Sequence, residues 1–85
     1  MQLNLTLYKK WFYQILDGKK KIEYRENKKY WQNRFRDRQK YDKVLFTNGY
    51  GKDKPFMLVE LKKINETKNF FELHLGKILK SGNIA

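Results

Sequence analysis

The sequence predicts a small α+β barrel of about five strands and two short helices. Helical spacing is confined to two early segments, and period-two alternation dominates the rest of the chain. With 85 residues there is room for one domain and not two.

The first strand is written in Leu3, Leu5 and Leu7, which alternate with Gln2, Asn4 and Thr6. From Tyr8 to Asp17 the period changes to that of a helix. Tyr8, Trp11, Phe12, Ile15 and Leu16 form one apolar stripe, while Lys9, Lys10, Tyr13 and Gln14 face elsewhere. Gly18 suits the left-handed position just past a helix end, and the lysines after it complement the helix C-terminus. No good capping residue precedes Tyr8.

Lys20–Glu26 reads as a second strand, with Ile22 and Tyr24 on one face and Glu23 and Arg25 on the other. Lys20 has the wrong parity to join the two charges, but it stands at the loop-to-strand junction, where a twist brings it round. Asn27 caps a second helix running to about Arg36, with Trp31 and Phe35 one turn apart as its buried pair. Tyr41–Thr47 is a third strand, in which Val44 and Phe46 alternate with Leu45 and Thr47. Asn48-Gly49-Tyr50-Gly51 is a turn, and its loop runs on to Pro55. Phe56–Ile64 and Phe70–Leu75 form an antiparallel hairpin across the polar turn Asn65–Asn69. The domain spans 1–79, and 80–85 is a C-terminal tail that frays.

Composition narrows the function classes. A chain this short buries only about 60% of its unfolded surface, so its core needs large side chains. Six Phe, six Tyr and two Trp supply them. Trp11, Phe12, Trp31, Phe35, Phe46 and Phe71 are the simplest core set. With no cysteine there is neither a disulfide framework nor a thiolate metal site. A lone histidine, His74, argues against a zinc centre and reads as a surface or core filler. No long apolar run and no signal-peptide pattern are present, which points to a cytoplasmic protein without membrane contact. No cofactor or metal is implied, and oligomeric state is not encoded in any recognisable pattern.

The formal charge of +11 attracts polyanions and speeds their encounter, without conferring sequence specificity. Its bland alternative is a lysine-rich surface that keeps the domain soluble, but the excess is larger than solubility requires. Arg34, Arg36, Arg38 and Lys40, together with Lys52 and Lys54, are the candidate phosphate contacts.

The chemistry-bearing stretch is Gly18-Lys19-Lys20-Lys21-Ile22-Glu23-Tyr24-Arg25. If Lys20, Glu23 and Arg25 turn into one pocket, a carboxylate lies between two cations, and each offsets the burial of the other. Such a site suits a base edge: glutamate accepts from an exocyclic amine, and arginine donates twice to a carbonyl or phosphate. The bland alternative is a row of charges facing water. Asn48 could present its amide to a ligand and Tyr50 could stack on a base, or the two could be a plain turn. Glu60, in an apolar strand beside Phe56 and Leu58, is either half-exposed at a barrel rim or the partner of a buried cation such as Arg25. Tyr24, Tyr30 and Trp31 lie near the basic stretch and could form a stacking platform, with Tyr30 and Tyr50 preferred over either tryptophan.

The spacing G-x-K-x-x-E-x-R resembles the signature of the ASCH domain, a branch of the PUA-like superfamily, and the likeness runs from Leu3 to about Leu79. Asn48-Gly49-Tyr50 looks like the turn after the third strand in a small single-domain subgroup with an inserted helix. The resemblance implies a PUA-like β-barrel whose signature residues line a cleft for RNA or a modified nucleobase. It therefore implies a module binding RNA, other single-stranded nucleic acid or a nucleotide through Lys20, Glu23 and Arg25. An enzyme is the alternative. Some small ASCH proteins are amidohydrolases of acetylated cytidine, using the lysine that Lys20 matches and a threonine whose position is Glu23 here. A carboxylate is a poor nucleophile toward an amide, so catalysis would need Glu23 as a general base with Lys20 stabilising the oxyanion. A ribonuclease activity attributed to some members would draw on Glu23 with Lys20 and Arg25. A protein-interaction adaptor with a vestigial cleft is the third reading.

Overall fold

Five strands, β1 (Gln2–Thr6), β2 (Ile22–Glu26), β3 (Lys43–Thr47), β4 (Phe56–Glu66) and β5 (Phe70–Gly82), form one mixed sheet in the order β1-β3-β4-β5-β2, with the two that come first in the chain at its opposite edges. The computed structural model describes residues 1–84. The chain runs β1, α1 (Lys9–Leu16), β2 and α2 (Lys29–Arg34). A 3-10 turn at Arg38–Lys40 follows, then β3, β4 and β5. β1 pairs with β3 in parallel, and every other pairing is antiparallel. Register shifts between Leu58 and Lys63 place bulges in the long β4–β5 ladder. Bulges bend a strand and steepen its twist, which curls the sheet into a half-barrel.

The concave face carries the core: Leu3 and Leu5 of β1, Val44 and Phe46 of β3, Met57 and Val59 of β4, Phe71 and Leu73 of β5. Phe12 and Ile15 of α1 close one end, and Phe35, just past α2, closes another. α1 stops where Gly18 adopts a φ of +78°, and the Gln14 carbonyl then accepts from both Lys19 and Lys20 main-chain N–H groups.

Several local expectations are corrected. Asn27 does not cap α2; Lys28 holds the capping position without a side-chain bond. The Asn27 amide instead donates to the Thr67 carbonyl (2.7 Å) and to Glu66 (3.1 Å), while its oxygen accepts from Gln32 (2.8 Å). It thereby ties the start of α2 to the β4–β5 turn. α2 ends at Arg34. Trp11 is not core: it is 39% exposed on the outer side of α1. β5 continues to Gly82, with Lys80, Ser81 and Gly82 paired to Leu58, Met57 and Phe56, where the sequence suggests a tail. The N-terminal ammonium bonds the Lys40 carbonyl and Asp42, and this contact holds the Asp42 carboxyl below its ordinary value.

Gly82 shows how closely that last stretch is packed. A methyl group there would stand 2.5 Å from Cε1 of Phe56, which covers the glycine. Gly82→Ala is expected to cost about 1–3 kcal/mol by forcing the ring aside. Urea denaturation measures it, and a loss below about 0.5 kcal/mol, the ordinary surface range, would mean that the ring swings away freely.

Among the described residues no helix is long and apolar enough to cross a membrane. Nor do any three His, Asp or Glu side chains among them gather as a metal site.

Candidate functional site

The half-barrel is open along the seam between its edge strands, and a hollow of about 870 Å³ lies there. One polar link spans the seam: Nη2 of Arg25 on β2 donates to the Thr6 carbonyl on β1 (3.1 Å).

Lys20, Glu23 and Arg25 meet at one carboxylate, but only Glu23 and Arg25 line this hollow; Lys20 borders a smaller one beside Gly18 and Leu75. Glu23 pairs with Leu73 and Arg25 with Phe71 across the β2–β5 ladder, so both side chains lie on the core side of the sheet. Glu23 is 5% exposed, and Tyr24, between the two charges, points outward at 44%. The apolar face of β2 is thus the outer one, and the charged face is the inner one. Lys20 precedes the strand proper, and its Nζ comes within 3.3 Å of Oε1 of Glu23. Nη1 of Arg25 donates to Oε2 of the same carboxylate and to the Tyr24 carbonyl (2.9 Å). Both carboxylate oxygens are therefore engaged by cations, which is what a buried charge requires. The cations in turn rest on aromatic rings. Lys20 lies 5.2 Å from the Trp11 ring and 5.1 Å from the Tyr24 ring, and the Arg25 guanidinium lies 5.3 Å from that of Trp31.

Above this floor the walls are aromatic. Tyr8 and Trp11 stand on the α1 side, Tyr30 and Trp31 on the α2 side, and Tyr50 on the loop after β3. Tyr8 and Tyr50 are more than four-fifths exposed (83% and 84%), and Tyr30 is 59% exposed. These rings stand open to solvent around one hollow, whereas Phe12, Phe35, Phe46 and Phe71 are buried in the core. That concentration makes the hollow the candidate binding surface. Besides Asn4 and Thr6 of β1, which no motif singled out, the lining residues that sequence reasoning missed include Trp11 and Tyr8. They sit three residues apart on the helical stripe that the spacing assigns to the core, and only the placement of α1 beside the open seam turns them outward.

Of the six basic residues expected to contact phosphate, Arg34 alone lines the hollow. Its Nη1 donates to the Tyr30 hydroxyl (3.1 Å), and its guanidinium lies 5.6 Å from the Trp31 ring. Arg36 is exposed and bonded to Asn33 (3.1 Å). Arg38 faces Glu66 (3.7 Å), and Lys40 covers Tyr41 (5.2 Å). Lys52 and Lys54 lie in the β3–β4 loop, where their carbonyls accept from Asn83. The Lys54 stem packs by Gly49, next to Tyr50.

Asn48 does not line the hollow. Its amide donates to the Leu7 carbonyl (3.1 Å), and its main-chain N–H goes to Pro55 (2.9 Å), so it positions Gly49 and Tyr50. Glu60 is not a partner of Arg25. It sits opposite Lys43 on β3 and fills the space left by the missing side chain of Gly76. His74 bonds Glu72 and Asn65 on the β4–β5 hairpin, away from the seam.

No protein-family model matches the chain, and comparison with curated proteins and with solved structures gave no significant match either.

Proposed function

We propose that the seam holds one nucleobase of RNA, of another single-stranded nucleic acid, or of a nucleotide. The carrying observation is the ring of solvent-facing aromatics around a single hollow in a chain of formal charge +11. Aromatic faces stack on any base, and a positive field draws the backbone toward them. Arg34, at the rim, is the nearest candidate for a phosphate, with Arg36 and Lys54 beyond it. The spacing Gly18-x-Lys20-x-x-Glu23-x-Arg25 supports the same reading through its likeness to the ASCH signature of the PUA-like superfamily. Binding is favoured over hydrolysis because Glu23 is 5% exposed and each of its oxygens faces a cation, the arrangement of a structural ion pair more than of a base open to water.

The test is fluorescence anisotropy with labelled single-stranded RNA and DNA of mixed sequence at several salt concentrations. Affinity should fall with a log–log slope of about −0.7 for each phosphate contacted. Trp11→Ala should weaken binding by about 1–3 kcal/mol, the usual worth of one stacked base. Absence of binding to any single strand or nucleotide at low salt would end this reading.

A further inference from the structure

Each oxygen of the carboxylate that sequence reasoning assigns to the base edge already faces a cation, which turns attention to the main chain beside it. β1 is an edge strand, and an edge strand keeps half of its main-chain groups unpaired. In a parallel pair, alternate residues turn both N–H and C=O toward the partner and the residues between them turn both away. Two bonds fix the phase. The Leu7 N–H goes to the Thr47 carbonyl of β3 (2.8 Å), whereas the Thr6 carbonyl points the other way, to Arg25 (3.1 Å). Thr6 and Asn4 are therefore the residues whose main chain faces the seam, and both line the hollow. Arg25 occupies the Thr6 carbonyl. The Asn4 carbonyl and the Thr6 N–H remain, an acceptor and a donor on one edge.

We infer that this acceptor–donor pair of β1 reads the Watson–Crick edge of the bound base. The inference rests on the nucleobase reading of the seam and narrows it to a ligand class. Each common base offers a donor next to an acceptor on that edge: the exocyclic amine and ring nitrogen in adenine and cytosine, the ring N–H and carbonyl in guanine and uracil. A main-chain pair satisfies all of them, so preference among bases is weak. In a duplex the same groups are already paired. The ligand class is thus an unpaired base of any identity, presented by a single strand and not by a helix. Arg25 has a second role here, since by taking the Thr6 carbonyl it leaves one register open for the base.

The experiment uses the intact, isotope-labelled chain and three probes: oligouridylate, the same oligomer built from N3-methyluridine, and a duplex of matched length. N3-methylation blocks the Watson–Crick edge and leaves the stacking face and the charge unchanged. Oligouridylate should move the Thr6 amide proton downfield. The methylated oligomer and the duplex should bind about 5- to 150-fold more weakly, the range for losing a two-bond base contact. Equal binding of the two oligomers, with the Thr6 amide unmoved and Trp11→Ala weakening both, would overturn the edge reading while leaving a stacking site intact. If no probe binds, the nucleobase reading fails, and this inference fails with it.

Discussion

Glu23→Ala should cost about 3 kcal/mol of folding stability. For a chain of this size that corresponds to a fall in Tm of roughly 10–20 °C. The carboxylate lies in the barrel interior with 7% of its side chain exposed, between Lys20 at 15% and Arg25 at 17%. Removing it leaves two cations near the core without a counter-charge. Because each keeps some access to water, the expected cost sits at the low end of the range for broken buried pairs. A second variant separates folding from recognition. Replacing all three charges at once, Lys20→Met with Glu23→Leu and Arg25→Met, removes the desolvation along with the attraction and should leave stability close to that of the original chain. It also removes the link to Thr6, so ligand binding should weaken in a folded protein. Urea denaturation of both variants decides the matter. A Glu23→Ala protein within about 1 kcal/mol of the original would show that the cations swing out to solvent, and that the triad does not hold the fold together.

Phe35→Ala is expected to cost about 3–5 kcal/mol, a large share of the ~5–15 kcal/mol that holds a small domain folded. Phe35 is fully buried, lies 5.0 Å from Phe71 edge-on, and stacks on Trp31 at 5.5 Å. α2 is six residues long and buries none of its own side chains completely. A helix that short does not persist on its own propensity. Trp31, Phe35 and the Asn27 bridge to the β4–β5 turn hold it against the sheet. Loss of the Phe35 ring should therefore release Tyr30 and Arg34 from the wall of the hollow. The readout is twofold: denaturation for stability, and hydrogen exchange for the α2 amides, which should lose protection before those of β4. Phe35→Leu should retain most of both. A Phe35→Ala protein with unchanged α2 protection would mean that Asn27 alone carries the helix.

Much of the fold is legible because it is local. Leu3, Leu5 and Leu7, and the run Phe71, Leu73, Leu75, declare strands by their alternation, and all six are buried. Gly18 marks the end of α1 because a positive φ is cheap only there. The reach of Lys20 to Glu23 is also readable, since a residue just before a strand is free to turn. What the sequence hides is non-local. Whether a helical stripe faces a core or a gap depends on what lies across from it, and Trp11 lies beside an opening that no periodicity records. Glu60 carries no sign of Gly76 opposite it, because the two come together only through the β4–β5 ladder. Residues 80–82 look like the start of a frayed tail until β4 supplies partners for them. Asn27 and Asn48 are both spent on main-chain carbonyls distant in the chain, of Thr67 and Leu7. Asparagine serves caps, turns and such ties equally well, and composition does not distinguish them.

The gap between β1 and β2 has a consequence for how the protein behaves in a crowded solution. Each border strand offers hydrogen-bonding groups that a neighbouring copy could adopt, and such contacts propagate into aggregates. Arg25, bonded to the Thr6 carbonyl, and the charge repulsion between copies counter this. Occupancy would remove that hazard, so colloidal solubility should rise with ligand and fall when salt mutes the repulsion.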